Sequence, residues 1–463
     1  MKCLIFGTGE YYNRYKKWLA KEEVVALLDN SFAKQNTFID GIEVLSPADG
    51  VKFTFDAVVI MSFYVKAMKR QLMELGVQEE KIYHFYDLRK LINVKGNRQK
   101  IICYGVQSEA LKSEAGKRFV LLSTDLALGG TALALYHMAL YLKKKGEIPL
   151  FVSMIDGSLR ENLTEEGFPV VIDPNLQLAT MRETEWLSGA YMIVCNAINY
   201  YIFLSERDTD IPVIWWLHDS SFFYDGVDGE VLRRIAEKNL TVLSVGSVPE
   251  RAIHKIRPNL PVRELIYGVP NIAKPLQKRK HVAKKVCFVT IGFIEERKGQ
   301  DILLEAIRLL SKNEREKAVF YFVGQDSSQM AVQFKKKAEE VPEIIVTGSV
   351  GRDKIHTILN AADMLICPSR EDPMPTVAAE SMMHGVPCLV SDVTGTAAYI
   401  SQGENGLVFK SGDTIGLAGQ IRWCIANRNC LAKMGRKAEK VYEEIFSMEV
   451  FEKNLSGIIS GLL

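Results

Sequence analysis

The fold is decided by residues 364–392, which read MLICPSREDPMPTVAAESMMHGVPCLVSD. An apolar strand ends at Pro368 and Ser369, a loop with two more prolines follows, and an apolar helix begins near Pro375 with Glu380 in its second turn. The N–H groups and the dipole of such a helix favour an anion at its start. The stretch therefore indicates an α/β sheet with an anion site, such as one for a diphosphate, at a strand end. Spacing alone also fits a plain strand, turn and helix with solvent-facing carboxylates.

Outward from this stretch, apolar strands alternate with helices over almost the whole chain, a pattern typical of parallel sheets flanked by helices. Three alternating sets are separated by two polar stretches. We therefore predict an α/β protein with a small Rossmann-like domain followed by two Rossmann-like domains with parallel sheets. The expected bounds are 1–95 for the small domain, 96–117 for a linker, 118–273 together with the C-terminal helix 446–463 for the second domain, 272–285 for a basic connection, and 284–445 for the third domain.

The composition is that of an ordinary globular protein. Its 463 residues, 48% of them hydrophobic, suffice for about three domains. The net charge of +2 excludes a surface-wide field that would gather nucleic acid. Eight scattered cysteines indicate core thiols in a reducing compartment rather than a zinc or redox site. The start MKCLIFGTGE has no signal-peptide pattern, and the apolar runs are broken before about 18 residues. We expect a cytoplasmic protein.

The stretch 364–392 resembles the donor-binding signature of glycosyltransferase family 4, in which an acid, seven residues and a glutamate precede small residues, a glycine and a strand. Here the pair is Asp372 and Glu380. The resemblance implies that Glu380 binds the donor ribose and Asp372 the hydroxyls of the transferred sugar. It also implies that the amides around Met374, Pro375 and Thr376 bind the distal phosphate. Asp372 stands where many members have glutamate.

A second match to the same family is TIGFIEERKGQDILLEAI, residues 290–307. Two cations in the predicted loop, Arg297 and Lys298, can neutralise the charge that develops on a departing nucleoside diphosphate. In the family, the lysine before the glycine, here Lys298 before Gly299, has this role. Many members also have an arginine after the first glycine, where this chain has Phe293, and Arg297 is expected to substitute for it.

Other positions match the family more weakly. Gly129 and Gly130 precede a helix, and paired glycines let a backbone approach a ligand closely, although a plain turn explains them equally well. His218 ends an apolar strand, and the resemblance assigns it to the donor sugar, whereas Trp215 and Trp216 are expected in the core. The family positions that contact the nucleotide correspond to Gly324, Ser349 and Val350.

The resemblance, which covers about residues 118–463, implies a GT-B fold and a retaining hexosyltransferase. It would use a nucleotide-sugar donor, no metal or other cofactor, and a glycan or lipid-linked glycan acceptor in cell-surface polysaccharide synthesis. Asp208 and Asp210 form an Asp-x-Asp that is expected to be a surface loop rather than a metal site. Two alternatives stay open, namely a nucleotide-sugar epimerase of the same fold and a catalytically degenerate scaffold.

The first 95 residues lie outside the resemblance. Gly7, Gly9 and Asp29 echo a dinucleotide fingerprint, but Tyr12 replaces its third glycine, which favours a structural or docking role over nucleotide binding. Lys143–Lys145 end a predicted helix and could face an anionic membrane from the cytoplasmic side, although solvated surface charge explains them as well.

Overall fold

The computed structural model describes residues 1–106, 118–187, 189–272, 285–324 and 329–462. These residues form two compact units. The N-terminal unit comprises Met1–Val242 and Arg251–Val262, and the C-terminal unit comprises Leu243–Glu250 and Arg263–Leu463. Three β-sheets run through the described residues, one in the small domain and one in each of the two following Rossmann-like domains.

The first sheet belongs to the small domain and has the order β3-β4-β2-β1-β5-β6. Its pairings are parallel except for the hairpin of β3 and β4. The strands are β1 Lys2–Phe6, β2 Glu23–Leu28, β3 Thr37–Ile39, β4 Ile42–Leu45, β5 Ala57–Ile60 and β6 Ile82–His84. The helices are α1 Glu10–Tyr15, α2 Pro47–Gly50, α3 Val65–Glu74 and α4 Leu88–Leu91.

The second sheet has the order β14-β13-β12-β11-β8-β9-β10-β7. Its central part, β10-β9-β8-β11-β12-β13, is the doubly wound order in which the chain starts in the middle and builds outward in both directions. The strands are β7 Ile102–Tyr104, β8 Arg118–Ser123, β9 Leu150–Ser153, β10 Val170–Ile172, β11 Ala190–Cys195, β12 Val213–Leu217, β13 Leu240–Ser244 and β14 Val262–Glu264. The helices are α5 Gly130–Lys144, α6 Leu159–Glu165, α7 Tyr201–Leu204, α8 Gly229–Arg234 and α9 Ser247–His254.

The third sheet has the order β17-β16-β15-β18-β19-β20, again doubly wound and parallel throughout. Its topological switch point lies between β15 and β18, where ligands bind in such folds. The strands are β15 Val286–Ile291, β16 Ala318–Val323, β17 Ile344–Gly348, β18 Met364–Cys367, β19 Cys388–Ser391 and β20 Gly406–Phe409. The helices are α10 Gln300–Arg308, α11 Lys312–Arg315, α12 Gln329–Ala338, α13 Arg352–Ala361, α14 Thr376–Met383, α15 Thr414–Ala426, α16 Arg428–Val441 and α17 Met448–Ser460.

The predicted fold class, a small Rossmann-like α/β domain before two Rossmann-like domains with parallel sheets, is confirmed. The boundaries differ in detail. Within the expected linker 96–117, β7 pairs antiparallel with β10 at the sheet edge, while residues 107–117 lie outside the described residues. Most of the basic run 272–285 also lies outside them. The C-terminal helix, which the sequence grouped with the second domain, packs near Gly268 and Val269, and both segments belong to the C-terminal unit.

The eight cysteines are free thiols, and five of them are buried. Trp215 and Trp216 are fully buried in β12, as predicted for core residues. Among the residues that the structure describes, no helix is both long and apolar enough to cross a bilayer.

Candidate functional site

The loops that follow β15 and β18 meet at the switch point of the third sheet. Gly299 joins the short 3₁₀ turn Glu296–Lys298 to α10 in a left-handed conformation, with φ +68°. A Cβ on Gly299 would overlap the carbonyl oxygen of Pro368, so only glycine lets the two loops approach this closely. The fold therefore brings the two sequence matches, 290–307 and 364–392, to one place.

Two cations and one carboxylate lie together where these loops meet. Lys298 Nζ is 2.6 Å from Asp372 Oδ2, and Arg297 Nη1 is 3.8 Å from the same oxygen. Asp372 is 5% exposed, so its charge is largely removed from water and depends on these partners. Arg297 also pairs with Glu295 at 2.6 Å. The structure thus brings together the three residues that the sequence singled out for a diphosphate and a sugar.

A second ion pair fixes the same two loops. Arg370 donates to both carboxylate oxygens of Asp301, at 2.8 and 2.7 Å, and also to the carbonyl of Glu296. Hydrogen bonding to Asp301 raises the pKa of Arg370 above its ordinary value. A bidentate pair of this kind has little orientational freedom. This ion pair was not predicted from the sequence, because Arg370 and Asp301 are 69 residues apart and no local pattern links them.

The helix α14 starts at the same edge. Pro375 precedes it, and no side chain caps its N-terminus, which leaves first-turn N–H groups available to an anion. The loop just before the helix is anchored by Tyr267, whose buried hydroxyl donates to the Met374 carbonyl over 2.7 Å. Met374, Pro375 and Thr376, for which the resemblance implies a phosphate contact, therefore form the start of this helix and the loop before it.

Glu380 lies one turn further along α14 and is 3% exposed. Its Oε1 pairs with Nη2 of Arg352 at 2.6 Å. Arg352 opens α13 directly after the loop that contains Ser349 and Val350. The pair therefore brings the predicted nucleotide loop next to the predicted ribose ligand. Arg352 was not predicted, because a lone arginine at a helix start is common on any surface.

Gly324, expected at the nucleotide, also has a packing role. A Cβ on Gly324 would overlap the carbonyl oxygen of Gly292, and its φ of +150° is unfavourable for other residues. We expect Gly324→Ala to destabilise the C-terminal unit by about 1–3 kcal/mol, with or without ligand. Gly351→Ala is the control, since φ is ordinary there and a Cβ would meet open space. Thermal unfolding of the two variants gives the comparison, and equal Tm values would contradict the packing role.

The N-terminal unit carries the remaining predicted residues at the carboxyl ends of the second sheet. Gly129 precedes α5, which begins at Gly130, and no side chain caps the helix. A Cβ on Gly129 would meet open space, so packing does not require this glycine. Asn196 follows β11 and donates to the carbonyl of Thr131 in the first turn of α5 over 3.1 Å. No motif in the sequence pointed to Asn196.

His218 and Asp219 follow β12. Burial lowers the pKa of His218 to about 3, so its ring is neutral near pH 7, and its Nε2 has no hydrogen-bond partner among the described residues. Burial raises the pKa of Asp219 to about 7, even though its Oδ2 accepts from the backbone N–H of Ile198 over 2.7 Å. A neutral imidazole beside a loop at a strand end can accept a hydrogen bond from a ligand hydroxyl.

Asp219 makes the stability of the protein depend on pH. Folding raises the pKa of Asp219 from 3.8 to about 7, so the charged carboxylate lowers the free energy of unfolding. This cost has its full size above pH 7 and disappears below pH 4. We expect Asp219→Asn, which keeps an oxygen for Ile198, to stabilise the protein by about 1–2 kcal/mol at pH 8. The gain shrinks as the pH falls to 4.

The check is the Tm difference between variant and wild type by calorimetry at pH 8, 6 and 4. His218 has the opposite pH dependence, because its lowered pKa reduces stability below pH 6.5. This contribution is present in both the variant and wild type, so it cancels in the Tm difference. Asp210→Asn is the control, because Asp210 is exposed and pairs with Lys238. A gain for Asp219→Asn that did not change with pH would show that the carboxylate is not desolvated.

The Asp-x-Asp lies in an exposed turn before β12, where Asp208 Oδ1 accepts from the backbone N–H of Asp210. Within the described ranges, no group of three or more His, Cys, Asp or Glu side chains is arranged to hold a metal ion.

The chain matches two family models. Residues 273–441 match glycosyl transferases group 1, and residues 1–83 match C2185-like, N-terminal. The first match spans the loops of 290–307 and 364–392. The second match falls inside the small domain predicted for residues 1–95.

Curated relatives match mostly over short stretches. The chain is 28% identical over 154 residues to the lipopolysaccharide glucosyltransferase WaaG of Escherichia coli, which is 32% of this chain and 39% of that protein. It is 30% identical over 100 residues to the N-acetyl-alpha-D-glucosaminyl L-malate synthase of Bacillus anthracis, 21% of this chain and 26% of that protein. The match therefore spans about a quarter to two fifths of the length of these relatives. An uncharacterized glycosyltransferase of Methanocaldococcus jannaschii is 24% identical over 70% of this chain and 92% of its own.

Solved structures show the fold. HepE of Anabaena in complex with UDP and glucose superimposes with a TM-score of 0.63 at 16% identity, over 74% of this chain and 100% of that one. The glycosyltransferase WaaG, involved in lipopolysaccharide biosynthesis, superimposes with a TM-score of 0.56 at 16% identity, over 74% and 100%. The chain therefore has the GT-B fold, preceded by the small domain.

Proposed function

We propose that this protein is a glycosyltransferase that moves a sugar from a nucleotide-sugar donor to a glycan or lipid-linked glycan acceptor in cell-surface polysaccharide synthesis. The observation that carries the proposal is the meeting of Arg297, Lys298 and Asp372 at the switch point of the third sheet, beside the uncapped start of α14. The glycosyl transferases group 1 match over these loops supports it. WaaG is named as a glucosyltransferase, and HepE was crystallised with UDP and glucose, which supports a nucleotide-sugar donor.

The residues of the C-terminal unit fit the departure of a diphosphate. When the bond between the sugar C1 and the phosphate oxygen breaks, the electron pair leaves with the nucleotide. Arg297, Lys298 and the first N–H groups of α14 stabilise that charge without reorganisation. Glu380 holds the ribose hydroxyls, and Asp372, released from Lys298 as the lysine turns to the phosphate, accepts from hydroxyls of the sugar.

The finer parts of the proposal follow the resemblance to family 4. The reaction retains the anomeric configuration. The acceptor oxygen forms its bond to C1 on the face that the nucleotide leaves, its proton passes to the departing phosphate oxygen, and no metal is required. His218, in the N-terminal unit, keeps its assignment as a contact of the donor sugar. A cytoplasmic enzyme with peripheral contact to the inner face of the membrane through Lys143–Lys145 belongs to the same proposal. Lys143 pairs with Glu166 at 2.8 Å, which offsets part of that charge.

The test is release of nucleotide from UDP-, GDP-, ADP- and TDP-sugars in the presence of EDTA. Wild type is compared with Lys298→Ala and Glu380→Ala. Release from one donor, unaffected by EDTA and lost in both variants, supports the transferase and names the donor. Interconversion of sugars without transfer would point to an epimerase. Absence of both release and donor binding would favour a scaffold and overturn the proposal.

A further inference from the structure

The small domain and the second sheet share one apolar core. Trp18 and Phe85 of the small domain and Tyr201 and Phe203 beside the second sheet are at most 1% exposed in the same cluster. At this junction, Trp18 Nε1 donates to Gln177 Oε1 over 3.0 Å, and both residues are buried. Separating the domains would leave these polar groups unpaired in an apolar interface. The small domain is therefore a fixed part of the N-terminal unit.

The small domain contacts the loops at the carboxyl ends of the second sheet. In the loop after β10, Glu183 pairs with Arg89 of the small domain at 2.7 Å. In the loop after β12, the ring of Phe223 packs edge-on against Phe63 of the small domain, with 4.5 Å between ring centroids. The His84 ring lies against Gly226, where a Cβ would overlap it. These loops lie at the edge of the sheet where doubly wound folds bind ligands. The small domain therefore packs against the loops that form this edge.

One polar contact leads from the small domain to the loops that carry Asn196 and His218. The Tyr86 hydroxyl donates to Asn199 Oδ1, and burial raises the pKa of Tyr86 well above its usual value, which keeps the donor protonated. Asn199 lies in the 3₁₀ turn Ile198–Tyr200, three residues after Asn196. Because Ile198 N–H donates to Asp219 Oδ2, this turn is also tied to the residue that follows His218.

Both loops present buried polar atoms without a partner among the described residues. These atoms are Asn196 Oδ1, on a residue that is 0% exposed, and His218 Nε2. Buried acceptors without a partner are rare in native proteins, and a catalytic role is one of the reasons for which they occur. Both atoms can accept hydrogen bonds from hydroxyl groups.

The small domain offers less support for a site of its own. Asp29 follows β2, where a dinucleotide fold holds a ribose. Its carboxylate already accepts hydrogen bonds from the backbone N–H groups of Thr8 and Ser31, at 3.2 and 2.9 Å, and pairs with Lys34 at 3.2 Å. Protein groups therefore occupy the position that a ribose would need.

We propose that the small domain is a rigid structural part of the acceptor half of the enzyme, and that Tyr86 is a positioning residue for the loops that carry Asn196 and His218. The acceptor half is the second sheet with its carboxyl-end loops. This inference rests on the proposed function for the meaning of these loops. It assigns the small domain a part in sugar transfer rather than in binding a separate nucleotide.

The test compares Tyr86→Phe with Tyr12→Phe. Both tyrosines are 3% exposed and lie in the small domain, but the Tyr12 hydroxyl donates to Asp40 within that domain. With UDP-glucose as donor, Tyr86→Phe is expected to lower kcat about fivefold to tenfold, as the loss of one hydrogen bond predicts, while binding of UDP, which lacks the sugar, stays unchanged. Tyr12→Phe is expected to leave kcat unchanged, and the two variants to have similar Tm values.

Hydrogen–deuterium exchange gives a readout that does not depend on activity. Faster exchange in segments 196–204 and 218–228 is expected in Tyr86→Phe and not in Tyr12→Phe. Asn199→Ala removes the other partner of the bond, and combining it with Tyr86→Phe is expected to add nothing further. If wild type releases no UDP from UDP-glucose, hydrogen–deuterium exchange alone tests the role of Tyr86. A failure of the proposed transferase function can therefore be told apart from a failure of this inference. If Tyr86→Phe has the same exchange rates and the same kcat as Tyr12→Phe, Tyr86 does not position these loops and the proposal is overturned.

Discussion

Lys298→Met is expected to lower the turnover of the donor about 10²-fold to 10³-fold, the usual effect of removing one fixed group that stabilises developing negative charge. The substitution keeps most of the apolar stem of the side chain and removes the ammonium group, which lies 2.6 Å from Asp372 Oδ2. Binding of the intact donor should change much less, because the charge on the departing diphosphate grows only as the bond breaks. Steady-state release of nucleotide measures kcat and KM separately.

The same substitution also leaves Asp372 with Arg297 at 3.8 Å as its remaining ion-pair partner in the described structure, so a general loss of stability must be separated from a loss of chemistry. Adding Asp372→Asn to Lys298→Met removes the buried charge, and it should restore the Tm without restoring turnover. Lys437→Ala, which breaks a surface pair with Glu404 at 3.0 Å, is the matched control and should leave turnover unchanged. Full turnover by Lys298→Met would exclude the lysine from the reaction.

The strands of the last two domains were readable because parallel strands are buried on both faces and appear as short apolar runs. AVFYFV, for example, became β16, and its alternation with helices also fixed the doubly wound class. The edge strand β7 was missed for the opposite reason. Residues Ile102–Tyr104 are partly exposed, and three residues are too few for a periodic pattern.

The candidate site was predictable where its residues belong to a motif of consecutive sequence. It was not predictable where folding brings residues that are distant in sequence into contact. Lys298 and Asp372 were found because each lies in a stretch, 290–307 or 364–392, that resembles a motif of glycosyltransferase family 4. Arg352 and Asn199 were not found, since their partners Glu380 and Tyr86 are distant in sequence. Single-residue contacts of this kind depend on side-chain direction, which no local pattern encodes.

Glu380→Gln is expected to weaken binding of the nucleoside diphosphate about 10-fold to 100-fold, because a ribose hydroxyl loses a hydrogen bond to a charged acceptor. The side chain is 3% exposed, so the isosteric amide should keep the packing, and it can still accept from Arg352. We therefore expect little change in Tm and nearly unchanged kcat, with KM raised. Calorimetric titration of the nucleoside diphosphate that the donor panel identifies measures the affinity.

The assignment of Glu380 to the ribose is tested most sharply with the 2′,3′-dideoxy form of that nucleotide. If the carboxylate binds the ribose hydroxyls, wild type should prefer the natural nucleotide, and this preference should largely disappear in Glu380→Gln. Glu340→Gln, which weakens a surface pair with Arg308, should keep the full preference. Arg352→Met should instead lower the Tm, since it removes the ion-pair partner of a buried carboxylate. A preference that persists in Glu380→Gln would place the ribose elsewhere and leave Glu380 with a structural role beside Arg352.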